Sequence, residues 1–150
     1  MRAVRAFEDF TVGETIALGA ATVSHADILA FATEFDPQPF HLDEKAPETM
    51  FTGGLIASGW HIAALFMRLL ADHLLLDSTC LGSPGVDTLK WTKPVRPGDR
   101  LTGRATVTAM RALRSRPDTG IVTFRHEVAN QNGDVVMAME NPILFRKRAP

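Results

Sequence analysis

The sequence predicts an α+β domain in which one curled antiparallel sheet wraps a long central helix. Three features carry this expectation. Leu55 to Leu76 is an almost unbroken apolar run, long enough for a helix of roughly 33 Å. Beyond it the apolar positions change to a period of two, the spacing of a half-buried strand, as at Leu101, Gly103, Ala105, Val107 and Ala109. Turn signals such as Pro97-Gly98 and Asn132-Gly133 punctuate that region. No linker, repeat or low-complexity segment interrupts the 150 residues, so 1–150 is read as a single domain.

Glu14 to Val23 is the opening strand, after a Val12-Gly13 turn. Ser24 begins a helix, with Asp27 three residues on in the capping-box position. Ile28, Phe31, Ala32 and Phe35 then share one apolar stripe. Pro37 stops this helix, which delivers Asp36 at its C-terminal end, where the helix dipole disfavours a carboxylate. Asp43 to Ala46 makes a single turn before Pro47, and a mobile connection, Glu48 to Gly54, leads to the apolar run. That run should be buried on most faces, with Arg68 and Asp72 as an i,i+4 pair near its solvent end. Leu89, Trp91 and Val95 alternate as a strand. The face holding Leu101 to Ala109 follows, then Val122, Phe124 and Val128, then Val135, Met137, Met139, Ile143 and Phe145. Pro142 interrupts the last strand and marks an edge or a bulge.

Composition removes several function classes. A net charge of −1 leaves no basic excess for nucleic acid. Cys80 is the only cysteine, which forbids an intrachain disulfide and argues against a Cys-based metal site. No His/Asp/Glu set has metal-ligand spacing, and no cofactor is expected. Thr49 to Met67 carries no formal charge, but its glycines, Ser58 and His61 fit a core helix better than a membrane span. The opening Met1-Arg-Ala-Val-Arg-Ala lacks an apolar leader, and a cytoplasmic location is expected.

The chemistry concentrates in Glu34-Phe-Asp-Pro-Gln-Pro-Phe-His41. Two prolines should make Asp36 to His41 a stiff extended turn that excludes helix and fixes the separation of a carboxylate and an imidazole. Such a pair can move protons to and from one water near neutral pH; a loop cap and a packed histidine would be the structural alternative. Downstream lies Phe51-Thr-Gly-Gly-Leu-Ile-Ala-Ser-Gly-Trp-His61. The start of the apolar helix there offers unpaired N–H groups and a positive dipole end. Trp60 and His61 either line a pocket or pack in the core. There is no Gly-x-Ser-x-Gly elbow, since Ala57 precedes Ser58. Arg111, Arg114 and Arg116 form a small basic cluster that reads as a solvated hairpin tip, with a contact to substrate phosphates as the alternative.

Asp-x-Gln-Pro-x-His, followed by a Ser-Gly step at the start of a buried helix, resembles the MaoC-type (R)-specific enoyl-CoA hydratases, which have the hot-dog fold. The resemblance spans nearly the whole chain, including Phe7-Glu-Asp-Phe-Thr-Val-Gly-Glu14 and Pro94-Val-Arg-Pro-Gly-Asp99. It implies that Asp36 and His41 hold one water against a trans-2-enoyl-CoA, giving the (R)-3-hydroxyacyl-CoA. It makes the Gly59 N–H the oxyanion donor and Ser58, Gly54, Phe40 and Trp60 the substrate contacts. It also implies a homodimer or a dimer of dimers. Three positions depart from the family pattern: Ser58 stands for a common His, Ala64 for a Ser that supports the acid, and Gln38 for Asn. A hot-dog thioesterase and a non-catalytic acyl-CoA-binding module remain the alternatives.

Overall fold

Pro39 and Pro47 each open a short helix, and these two turns account for most of what separates the observed fold from the expected one. The computed structural model describes residues 4–150; Met1 to Ala3, part of the opening read above, lie outside the described residues. Helices are α1 (His25–Phe35), α2 (Pro39–Leu42), α3 (Pro47–Phe51) and α4 (Gly59–His73). Strands are β1 (Thr15–Thr22), β2 (Cys80–Gly82), β3 (Thr88–Trp91), β4 (Arg100–Ala112), β5 (Thr119–Ala129) and β6 (Val135–Arg146). The sheet runs β1-β4-β5-β6, antiparallel throughout, and β6 carries both short strands β2 and β3 on its far side. It curls around α4 without closing, which is the hot-dog layout.

The capping box is present at α1: Ser24 Oγ accepts from the Asp27 N–H, and Asp27 accepts from the Ser24 N–H. The stripe on α1 is narrower than expected, however. Ile28 and Ala32 are buried, whereas Phe35 is exposed and tilts against Phe31.

The extended-turn expectation fails at its second half. Pro37 sits in a tight turn closed by the Gln38 N–H on the Asp36 carbonyl, and Gln38 is extended, but Pro39 occupies the first position of α2 and His41 lies within that helix. Proline suits a first helical position because its missing N–H would be unpaired there anyway. Pro47 repeats the device at α3, so the segment expected as a mobile connection is one helical turn. Buried Thr49 ties it down, with Oγ1 2.6 Å from the Asp43 carbonyl and 3.1 Å from that of Pro39.

Helix α4 is shorter than the apolar run. Its 15 residues span about 22 Å, because Leu55 to Ser58 is drawn into bonds with other segments. Ile56 N–H donates to the Phe40 carbonyl, and Ala57 N–H to that of Val95. Helix α4 buries one stripe, Ile62, Phe66, Leu69 and Leu70, rather than most faces. The stretch from Gly59 to Asp77 has the length and composition of a membrane span. Yet its buried stripe joins Leu18, Leu101, Phe124 and Met137 in one core, and Arg68 pairs with Asp72 at 2.8 Å.

The long strands largely follow the alternation; a register shift at the start of β6 buries Val136 in place of Val135, and two further departures have clear physical causes. A bulge between Val107 and Ala109 reverses the faces, so Ala109 is exposed and Met110 packs on the core instead. Pro142 lies inside the sheet, opposite Thr123 of β5, but at the gap between β3 and β2 on the other side. Its missing N–H is harmless in that gap, and its carbonyl accepts from Ser83 Oγ at 2.6 Å.

Candidate active site

Asp36 is the residue after the last turn of α1, and its N–H still donates to the Ala32 carbonyl. Leaving the helix there turns the carboxylate back toward the start of α4. Oδ2 accepts from Ser58 Oγ at 2.6 Å and Oδ1 from Gln38 Nε2 at 2.7 Å. These bonds answer the dipole penalty noted at this helix end. Burial by itself would push the Asp36 carboxyl up. The bonds from Ser58 and Gln38, with His41 nearby, more than offset that and hold it below the ordinary carboxylate range.

His41 faces the same oxygen, with Nε2 3.2 Å from Asp36 Oδ2; its side chain is 5% exposed and that of Asp36 15%. On the other side of the ring, Nδ1–H donates to the Ile56 carbonyl at 2.7 Å. A peptide carbonyl only accepts, so the Nδ1 proton and the ring orientation are fixed. Nε2 is the nitrogen left to exchange a proton with the carboxylate or with a water between them. The structure therefore brings together the two residues singled out by the sequence, through α2 rather than through an extended turn.

Both open onto a cleft of about 420 Å³, lined also by Phe40, Gly59, Trp60 and Trp91. Gly59 is the first residue of α4, and neither its N–H nor that of Trp60 meets a protein acceptor among the described residues. A Cβ on Gly59 would lie 2.3 Å from the Trp91 indole, so only glycine lets that ring close over the helix start. Trp60 packs edge-on against Trp91 and is 61% exposed, at the cleft rather than in the core. His61 turns away and stacks on Phe31. Gly54 does not line the cleft. It turns the backbone at φ 131° while its carbonyl accepts from Arg96.

Ser58 lies one residue before the helix but makes no cap bond; its hydroxyl goes to Asp36. Two of the three positions that depart from the family pattern, Ser58 and Gln38, are thus the two that hold the acid. Ala64, the third, is exposed on α4.

Sequence reasoning missed the braces behind the cleft. Arg96 donates to the Gly54 and Thr52 carbonyls, at 3.0 and 2.5 Å, and its own N–H donates to Asp99. With Val95 accepting from Ala57, the Pro94–Asp99 motif fixes the segment that leads into α4. The motif was visible, but its target lies some forty residues away in the chain. The arginines of the β4–β5 hairpin tip are exposed and stand apart from the cleft. Among the described residues, no three His, Cys, Asp or Glu side chains group as a metal site.

Known proteins match this chain in sequence and in fold. The family model for the MaoC like domain matches residues 9–130. A crystal structure of a MaoC-like dehydratase from Rhodospirillum rubrum is 42% identical, with a TM-score of 0.88, over 97% of this chain and 99% of its own. An (R)-specific enoyl-CoA hydratase of the same species is 32% identical over 147 residues, covering 95% of this chain and 92% of its own. A mesaconyl-CoA hydratase of Cereibacter sphaeroides is 30% identical over 152 residues, 96% of this chain but only 42% of its own length.

Proposed function

The chain belongs to the MaoC-like domain family, and from that premise we propose that it is a cytoplasmic hydro-lyase adding water reversibly to a trans-2-enoyl-CoA to give the (R)-3-hydroxyacyl-CoA. The observation that carries the reading is the Asp36–His41 pair, 3.2 Å apart, opening onto the same cleft as the unpartnered Gly59 N–H. Relatives named as hydratases of CoA thioesters support the substrate class.

In this reading the pair holds one water against C3 of the substrate. The water oxygen bonds to C3 as it gives a proton to the pair. The C2=C3 π electrons move toward the thioester, and negative charge grows on its oxygen. The Gly59 N–H, at the positive end of α4, donates to that oxygen. A proton then passes from the pair to C2, and Asp36 and His41 return to their starting state. The fixed Nδ1–H of His41 keeps Nε2 on the reacting side throughout. Phe40 and Trp60 flank the cleft as substrate contacts, and Ser58 and Gly54 support it from behind.

The functional unit in this proposal is a homodimer. Trp60, Met67 and Trp91 are 61%, 47% and 43% exposed along α4 and the adjoining edge. Among the described residues strand β3 pairs with β6 alone, so its outer edge is open to a second copy.

Crotonyl-CoA tests the reaction. Hydration removes the enoyl absorbance without releasing free thiol. Release of CoA thiol would show a thioesterase, and binding with neither change would show an acyl-CoA-binding module.

A further inference from the structure

Ser58 was expected to touch substrate, yet three observations place it elsewhere. It is 1% exposed and does not line the cleft, whereas its neighbours Ala57 and Gly59 do. It precedes the first residue of α4, where a serine ordinarily turns its oxygen onto the N–H groups of the first turn, but it makes no such bond. Its hydroxyl proton is committed instead to Asp36 Oδ2 at 2.6 Å, the same oxygen that faces His41 Nε2.

We propose that Ser58 is a positioning residue for the acid–base pair: from behind the cleft its hydroxyl holds the Asp36 carboxylate with Oδ2 aimed at His41. The role rests on the hydratase reading, but the hold on the carboxylate is testable apart from it. Gln38 Nε2 fixes Oδ1 from an exposed side chain, so Ser58 is the buried member of the clamp. A bond to an ionised acceptor in a dry setting is stronger than one shared with water. A donor to the charged form also favours ionisation, so the hydroxyl widens the pH range over which Asp36 can accept a proton.

The test follows the carbon-13 signal of the Asp36 carboxyl against pH in wild type, Ser58→Ala and Ser58→Thr, with circular dichroism confirming the fold of each. Loss of the hydroxyl should move the Asp36 titration to higher pH, and threonine should return it toward wild type. In the hydration assay, Ser58→Ala should lower kcat about ten- to a hundredfold, the size of losing one hydrogen bond to a charged group. KM should stay within about twofold, and the acid limb of kcat/KM should follow the carboxyl upward. A folded Ser58→Ala protein with an unmoved Asp36 titration overturns the proposal; a raised KM alongside it would return Ser58 to the substrate. Should wild type hydrate nothing, the hydratase reading fails while the carboxyl titration still decides whether Ser58 holds Asp36.

Discussion

Asp36 has three neighbours on two oxygens: Gln38 donates to Oδ1, Ser58 donates to Oδ2, and the His41 ring faces Oδ2. With that edge fixed so closely, replacing Asp36 or His41 should damage the proposed chemistry far more than folding. Asp36→Asn and His41→Gln should each lower hydratase turnover by about two to four orders of magnitude, with melting temperatures close to wild type. Steady-state kinetics with crotonyl-CoA and a thermal melt check both halves of this expectation. A second residue, His126, bears on stability and not on the cleft. It is fully buried, bonds Asn141 Oδ1 through Nε2 at 2.7 Å, and stacks with Phe124. Burial, only partly opposed by the Asn141 bond, lowers its pKa from 6.5 to about 4. As pH falls below 6.5 the unfolded chain takes up a proton that the folded chain refuses, so stability drops until about pH 4, where the folded form also protonates. The loss through this one group is about 3 kcal/mol. Urea denaturation at pH 7 and pH 4 should show that component in wild type and not in His126→Phe.

At the scale of elements, the start of α4 combines two demands on one glycine. Gly59 supplies the proposed oxyanion N–H, and its missing side chain leaves room for Trp91. Gly59→Val should lower turnover about a hundredfold or more, but a side chain there must also displace the indole and strain the packing. Replacing the Gly59 amide by an ester separates the effects, since it deletes the N–H and adds no Cβ. Turnover should fall about a hundredfold in that protein while Trp91 fluorescence stays as in wild type. Full hydratase activity would remove Gly59 from the oxyanion role. The surrounding braces explain why this helix start is so exact in place. Arg96 grips Thr52 and Gly54, and the Ile56 and Ala57 N–H groups donate to the Phe40 and Val95 carbonyls. Both α2, which carries His41, and the Pro94–Asp99 turn therefore meet at the residues that introduce α4.

For the whole molecule, one curled sheet with one helix in its concavity leaves apolar surface beside the cleft. Trp60 and Trp91 are exposed at the cleft itself, and Leu81 in β2 and Val86 just before β3 are 42% and 51% exposed. A second copy pairing at this side would cover them and place the CoA entrance near the subunit boundary. Light scattering at micromolar concentration should give the mass of a dimer, about twice the 16.4 kDa of one chain. A monomer under those conditions would remove the claim.

Read alone, the sequence determined the elements whose signals are local. The capping box at Ser24, the alternating faces of β4 to β6, the break at Pro37 and the Asp36–His41 pair all follow from spacing within a few residues. The hot-dog layout followed as well, because a period-two region after an apolar helix leaves few ways to bury both. What tertiary structure decided is where segments distant in the chain meet. Leu55 to Ser58 has helical composition, yet Phe40 and Val95 take its N–H groups and α4 begins only at Gly59. Pro39 and Pro47 looked like helix breakers, but with the chain turning at those points each became the first residue of a helix. The bulge after Val107 needed β5 alongside to define it. Ser58 and Asp36 are 22 residues apart, and no pattern in either neighbourhood announces a bond between them. A hydrogen bond across such a separation depends on where two helices end in space, and that is fixed by the packing of the core beneath them.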